Sequence, residues 1–212
     1  MVYFNSHILQ FIPEYSQLYI FNKINKLIDN KLNINRLHMT LMYIKMNPQF
    51  MKKLLDLDKI EIYAEKLLRN IKLKPLKSDK VIGTLNDVFA IIYEATFDFN
   101  NIIQKINKFI LTMIATKLNR ANITYRFRYK CERDMGVWIY IDIIKGPRIV
   151  SIGKIRSDDT LPHISFSRQA MSSQHNPVNV NDIRKIYRNH DLRYDISRTQ
   201  FDMSDGYVEF TQ

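Results

Sequence analysis

Leu37-His38-Met39-Thr40-Leu41 and Pro162-His163-Ile164-Ser165-Phe166 share one pattern, far apart in the chain. Each sets a histidine, one apolar residue and a hydroxyl residue inside an apolar run. Side chains on a β-strand alternate between faces, so residues two apart project from the same side. Read as strands, the stretches put His38 beside Thr40 and His163 beside Ser165. Leu37, Met39 and Leu41 take the opposite face of the first strand, and Pro162, Ile164 and Phe166 that of the second. Two imidazoles, each with a hydroxyl neighbour, have the makings of a symmetric acid–base site around a phosphate.

The pairing of the stretches carries more than either alone. The chain has five histidines. With Ser plus Thr at roughly a tenth of residues, about half a match to H-x-(S/T) is expected at random. His7, His175 and His190 do not fit, since Leu9, Pro177 and Leu192 stand two residues on. A lone strand histidine is ordinarily a structural residue with a satisfied hydrogen bond. Two in matching apolar strings point instead to a site.

Strands and helices alternate along the rest of the chain. Residues 2–12 are apolar and β-prone up to Pro13, and Leu18, Ile20, Phe21, Ile24, Ile28 and Leu32 follow at helical spacing. The first histidine strand is expected over roughly 35–45, and Asn47-Pro48 marks a helix start. Lys72–Lys80 and Leu85–Ala95 read as strands joined around Gly83. Asn101–Leu118 is the clearest amphipathic helix. Strands near 124–129, 137–144 and 148–155, a turn at Asp158-Asp159 and the second histidine strand come next. A basic helix around 180–190 and a strand near 207–210 complete the chain. Each half contains strands, a long helix and one H-x-(T/S) motif, a loose internal repeat. That predicts two lobes facing each other across a groove.

Composition narrows the class. A chain of 212 residues, 46% hydrophobic and 25% charged, suits one large domain or two closely joined lobes. Cys131 is the single cysteine, which excludes an intramolecular disulfide and a cysteine-built zinc site and fits a reducing compartment. The N-terminus lacks the basic start and apolar core of a secretory signal, and no apolar run is long enough to cross a bilayer. A cytoplasmic protein without membrane association is expected. The net charge of +11 favours an anionic partner, although Lys-rich surfaces also follow from Ile-, Asn- and Lys-rich coding.

The chemistry follows from the residue types. Cleaving a ribose-linked phosphodiester needs a base for the attacking water or 2′-hydroxyl and an acid for the leaving oxygen. Imidazole does both near physiological pH, so one of His38 and His163 is neutral and the other cationic. Sequence leaves open which is which. Thr40 and Ser165 can donate hydrogen bonds to the non-bridging phosphate oxygens. No metal or cofactor is expected, because neither motif has a carboxylate at ligand spacing.

Arg36-Leu37-His38-Met39-Thr40-Leu41 and Leu161-Pro162-His163-Ile164-Ser165-Phe166-Ser167-Arg168 resemble the two signature motifs of the 2H phosphoesterase superfamily, the LigT-like phosphodiesterases. The order of strands and helices is similar over most of the length. The resemblance implies an α+β fold of two antiparallel β-sheet lobes around a central groove, with helices outside. It implies a single 2H domain over residues 1–212, with about 176–212 as a C-terminal extension. It implies an enzyme with His38 and His163 catalytic and Thr40 and Ser165 binding phosphate. Family substrates include 2′,3′-cyclic phosphates, 2′-5′ linkages, oligouridylate ends and cyclic dinucleotides. The Ile/Asn/Lys-rich composition suggests an AT-rich genome such as that of some large DNA viruses. Viral 2H enzymes as a class destroy nucleotide second messengers of host defence. The resemblance therefore favours 2′,3′-cGAMP or 2′-5′ oligoadenylate as substrate for a monomer in the host cytoplasm. The alternatives are an RNA-end 2′,3′-cyclic phosphodiesterase and a non-catalytic basic RNA-binding module on the same fold.

Groove walls would select the substrate. Trp138, Tyr140 and Asp142 share one strand face, and Tyr125, Phe127 and Tyr129 alternate with Arg126, Arg128 and Lys130. Either strand could stack bases beside cations, while the ordinary reading makes the aromatics core and the cations a solvated face. Arg36 and Arg168 flank the motifs as candidate phosphate contacts. Arg184, Lys185, Arg188, Arg193 and Arg198 make the C-terminal region basic, ordinarily a solvated helix face.

Overall fold

A computed structural model describes residues 4–11, 18–29, 31–32, 37–77, 79–85, 88–132, 136–157, 161–168 and 180–211. The fold is α+β. In chain order the elements are β1 (Phe4–Phe11), α1 (Leu18–Leu27), β2 (His38–Met46), α2 (Pro48–Leu54), α3 (Leu57–Leu68), β3 (Lys72–Leu73), β4 (Ile82–Leu85) and β5 (Val88–Ile92). Then come α4 (Phe97–Arg120), β6 (Tyr125–Glu132), β7 (Gly136–Lys145), β8 (Arg148–Ser157), β9 (His163–Arg168), α5 (Val180–Arg188), α6 (His190–Arg198), β10 (Phe201–Asp202) and β11 (Val208–Thr211).

Local chemistry sets the helix ends. Asn47 caps α2 by accepting from the Gln49 amide, and Pro48 occupies the first turn, where its missing N–H costs nothing. Asp56 starts α3 in the same way, so the helical stretch after Asn47 divides into two. Thr96 caps α4, and Phe99, Ile102, Ile103, Ile106, Ile110, Ile114 and Leu118 form its buried stripe. The helix expected over 180–190 stops at Arg188. Asn189 accepts from the Leu192 amide and opens α6.

Two strand expectations change. The strand expected over 72–80 is only Lys72–Leu73, paired with β10. Pro75 makes an isolated bridge to Tyr93, flanked by the Glu94 amide donating to Lys74 and the Leu76 amide donating to Ile92, and the chain then turns, the Lys80 amide donating to the Lys77 carbonyl. Gly83 is not a junction: it lies inside β4 opposite Ala90, where a Cβ would sit 2.9 Å from Ile92 Cδ1. The expected turn at Asp158-Asp159 lies outside the described residues.

The large sheet has nine strands and runs β4-β5-β9-β2-β8-β7-β6, with β1 on the other edge of β2 and β11 beyond β1. All its pairings are antiparallel. β2 is the branch point. One edge pairs with β1 along its length, while the other pairs with β9 at Met39 and with β8 from Met42 to Met46. β8 and β9 therefore follow each other along β2 and lead into separate wings, β7-β6 and β5-β4.

One continuous apolar cluster holds the helices to the sheet. It joins Met39, Leu41, Met42, Ile44 and Met46 of β2 with the apolar faces of α1, α3, α4, α5 and α6. Trp138, Leu9, Ala90 and Ile92 are also buried, yet none belongs to that cluster; they lie on the sheet's other face.

A β-bulge in β2 decides what that other face carries. Leu9 pairs with Thr40 but Ile8 pairs with Met42, so Leu41 is the extra residue. Leu41 and Met42 are both buried, and the alternation of faces reverses between them. Strict alternation from His38 would have sent Tyr43 and Lys45 into the core. The bulge returns them to the face of His38 and Thr40.

Candidate active site

The two histidine motifs are neighbours. Met39 pairs with Ile164 across β2 and β9, and both side chains are fully buried in the core. One residue to either side, antiparallel pairing sets His38 across from Ser165 and Thr40 across from His163. All four are half-buried and share the sheet face away from the helices. Opposed side chains on one face lie about 5 Å apart at Cβ, and diagonal ones roughly 7–8 Å. His38 and His163 are the diagonal pair, a separation that leaves room for a phosphate between them.

The surroundings orient each ring. His163 Nδ1 lies 2.8 Å from the Leu161 carbonyl oxygen. A carbonyl can only accept, so Nδ1 carries the proton and Nε2 is the nitrogen left to exchange one. The His38 ring lies 5.5 Å from that of Phe11, which stacks on Tyr207 at 4.9 Å. The Phe11 amide also donates to the Tyr207 carbonyl. The C-terminal segment thus supports the wall beside His38, while β11 pairs with β1.

Beyond Thr40 the same face becomes cationic and aromatic. Tyr43 faces Arg156, Lys45 faces Lys154, Lys154 faces Tyr140, and Tyr140 faces Arg128. The Arg156 guanidinium lies 4.5 Å from the Tyr43 ring and 5.2 Å from Trp138. Lys154 Nζ is 4.3 Å from Trp138 and 5.2 Å from Tyr140, and Arg128 is 4.4 Å from Tyr140. Rings and cations therefore alternate from β2 to β6. Each such contact contributes about 0.5–2 kcal/mol, more when desolvated.

Two carboxylates hold this ladder in place. Asp142 is fully buried and accepts from Arg128 Nε at 2.8 Å and Arg126 Nε at 3.3 Å. Burial pushes its carboxyl up, but the two guanidiniums outweigh that and hold it below the usual carboxylate range. Glu132 accepts from Lys154 at 2.8 Å and from the Tyr140 hydroxyl, and the two hydrogen bonds keep it ionised to lower pH than usual.

Of the residues singled out in the sequence, His38, Thr40, His163 and Ser165 come together. Trp138 and Tyr140 share their sheet face, two and more strands away. Trp138 is only 2% exposed and lies under Lys154 and Arg156, so it cannot offer an open stacking surface. Tyr125 and Phe127 pack against the helix-side core. Arg36 lies outside the described residues, and of Arg168 only the backbone is described, opposite Val88. Of the C-terminal cations, Lys185 pairs with Asp29 and Asp182, whereas Arg184, Arg188 and Arg198 are exposed on α5 and α6.

Sequence reading missed Tyr43, Lys45, Lys154, Arg156 and His7. His7 sits across from Tyr43, their rings edge-to-face at 5.2 Å. The signal was the doubled apolar Leu41-Met42 in an otherwise alternating strand, which marks the bulge. Among the described residues, no three His, Cys, Asp or Glu side chains group to hold a metal ion. No described helix is long and apolar enough to cross a membrane. A separate hollow lined by Phe50, Lys53, Leu54, Lys117 and Arg120 lies between α2 and the end of α4, and it contains neither histidine. Comparison of the chain with protein-family models, with curated proteins and with solved structures gives no match.

Proposed function

We propose that the chain is a 2H-type phosphodiesterase that cleaves a nucleotide carrying a 2′-linked phosphate. The observation that carries this reading is the Met39–Ile164 pairing, with a histidine and a hydroxyl from each strand on one sheet face. The antiparallel sheet that branches at β2, with helices against one face, is compatible with this reading. In the reaction the neutral imidazole takes a proton from water, or from a ribose 2′-hydroxyl, as its oxygen bonds to phosphorus. The bond from phosphorus to the leaving oxygen breaks, and the cationic imidazole protonates that oxygen. Thr40 and Ser165 donate to the non-bridging oxygens, where charge builds. Nδ1 of His163 is occupied by the Leu161 carbonyl, which assigns its proton transfer to Nε2.

Candidate substrates are 2′,3′-cGAMP and 2′-5′ oligoadenylate, degraded in a host cytoplasm to silence defence signalling. An RNA-end 2′,3′-cyclic phosphodiesterase uses the same four groups. The cation–aromatic ladder favours one further reading, a basic RNA-binding module without turnover. Incubation in EDTA with 2′-5′, 3′-5′ and 2′,3′-cyclic substrates separates these, with His38→Ala and His163→Ala alongside. Cleavage in EDTA that both substitutions abolish supports the two-histidine mechanism. Cleavage surviving either substitution defeats it, and tight RNA binding without turnover favours the binding module.

A further inference from the structure

We infer that the face of β8, β7 and β6 is a track for a linear single-stranded oligonucleotide, whose reacting end lies at His38 and His163. The inference rests on the proposed reading of the histidine pair and narrows its substrate from a cyclic dinucleotide to a strand of several phosphates.

The ladder has a direction and a length. It begins at Tyr43 and Arg156, just past Thr40 along β2, and ends at Arg126 and Arg128 on β6. From β2 to β6 it crosses β8 and β7, three strand spacings of about 4.8 Å, or roughly 14 Å. A span of that length takes a short run of consecutive backbone phosphates. A strand that reaches from the histidines to β6 gives the cations there a role that a compact cyclic ligand held at the histidines does not.

The cations are set for a single backbone. Arg156 is 9% exposed and fixed between Tyr43 and Trp138, so its guanidinium stays on the sheet. Lys154 is held by Glu132 and the flanking rings. Arg126 and Arg128 are half-exposed at the side chain, and Lys130 is exposed on the same face opposite Trp138. Asp142 and Glu132 are consumed in positioning these groups; Arg126 and Arg128 share the one carboxylate of Asp142, and with Lys45 and Lys130 they give the described face an excess of positive charge. The rings act as spacers: Trp138 is covered, and its buried Nε1 has no hydrogen-bond partner among the described residues. Ordered cations separated by rings suit phosphates at regular intervals. A lipid surface would call for exposed apolar side chains at the centre, where this face has covered rings and charge.

Binding is measured on the His38→Ala/His163→Ala protein, which removes turnover, by fluorescence anisotropy with labelled oligoadenylates of about two to six nucleotides. The expected result is at least about a tenfold gain in affinity from dinucleotide to tetranucleotide, then a plateau. Arg126→Gln/Lys130→Gln in that background leaves Arg128 on Asp142. It should weaken the tetranucleotide about tenfold and the dinucleotide less than about twofold. The salt dependence should fall by about 0.7 per cation removed. Because Arg126 is one of two partners of Asp142, binding is compared well below the melting temperature, and an unchanged circular-dichroism spectrum there excludes a folding defect. Equal affinity at every length, no effect of the double substitution, or equally tight binding of polyglutamate overturns the track. Length-dependent binding by a protein that cleaves nothing defeats the catalytic reading and leaves the track; cleavage without length dependence does the reverse.

Discussion

Met39 and Ile164 face each other across β2 and β9, both fully buried, and this is the pairing that brings the two histidines to one site. It ties the wing of β5 and β4 to the central strand at that point. Ile164→Ala removes apolar volume where the strands join, with an expected cost of about 2–5 kcal/mol. Because His163 and Ser165 flank the gap, kcat/KM should fall by more than about tenfold even where the variant is fully folded. Urea denaturation and steady-state kinetics at a temperature well below the melting point separate the effects. Wild-type kcat/KM in a destabilised Ile164→Ala protein would show that the pairing does not position the site.

Much of this arrangement was legible in the chain. Period-two spacing placed His38 with Thr40 and His163 with Ser165, and the Asn101–Leu118 stripe gave α4. What could not be read was register. Nothing local says that Met39 meets Ile164, more than a hundred residues away, because strand pairing is decided by tertiary packing. The bulge at Leu41 hid Tyr43 and Lys45, since strict alternation assigns them to the core. Arg156 escaped notice because an arginine in an alternating strand ordinarily marks the solvent side, and here that side is walled by Tyr43 and Trp138. Lys72–Lys80 looked like a strand on composition, but the chain turns there, the Lys80 amide donating to the Lys77 carbonyl.

Gly206 tests whether the C-terminal segment positions His38. A Cβ added at Gly206 would overlap the Phe11 carbonyl oxygen and crowd the Gln10 amide nitrogen. The overlap is with backbone, so β1 must move, and Phe11 packs on the His38 ring. Gly206→Ala should lower kcat about tenfold and change KM less than about threefold. Tyr207→Ala, which removes the ring stacked on Phe11 without the backbone clash, should give a smaller loss in the same direction. A Gly206→Ala protein with unchanged kcat on the proposed substrate would remove the C-terminal segment from the site.

Asp142 gives the fold a predictable sensitivity to acid. Its folded pKa lies below that of an unfolded aspartate, about 3.9, so the unfolded chain takes up the proton first as pH falls. The stabilisation is full above about pH 5 and is lost as pH drops through the folded pKa. Asp142→Asn should melt roughly 5 °C lower at neutral pH. The gap should narrow on acidification, since protonation removes the same charge from the wild type. A gap independent of pH between neutrality and about pH 3 would show that the Arg126 and Arg128 pairs do not act through ionisation.

Trp138 is the single tryptophan of the chain and lies between Lys154 and Arg156. Its emission therefore reports on the ladder with no competing signal. Phosphates drawn to those cations pull charge away from the indole face and change its surroundings without touching the ring. Titration of the His38→Ala/His163→Ala protein with tetra-adenylate should shift or quench the emission in parallel with the anisotropy change. Inorganic phosphate at the same ionic strength should leave it nearly unchanged, because one small anion cannot span the strip. Lys154→Gln should remove most of the response while retaining binding through Arg126, Arg128 and Arg156. An emission that stays constant through a saturating oligonucleotide titration would place the strand elsewhere on the protein.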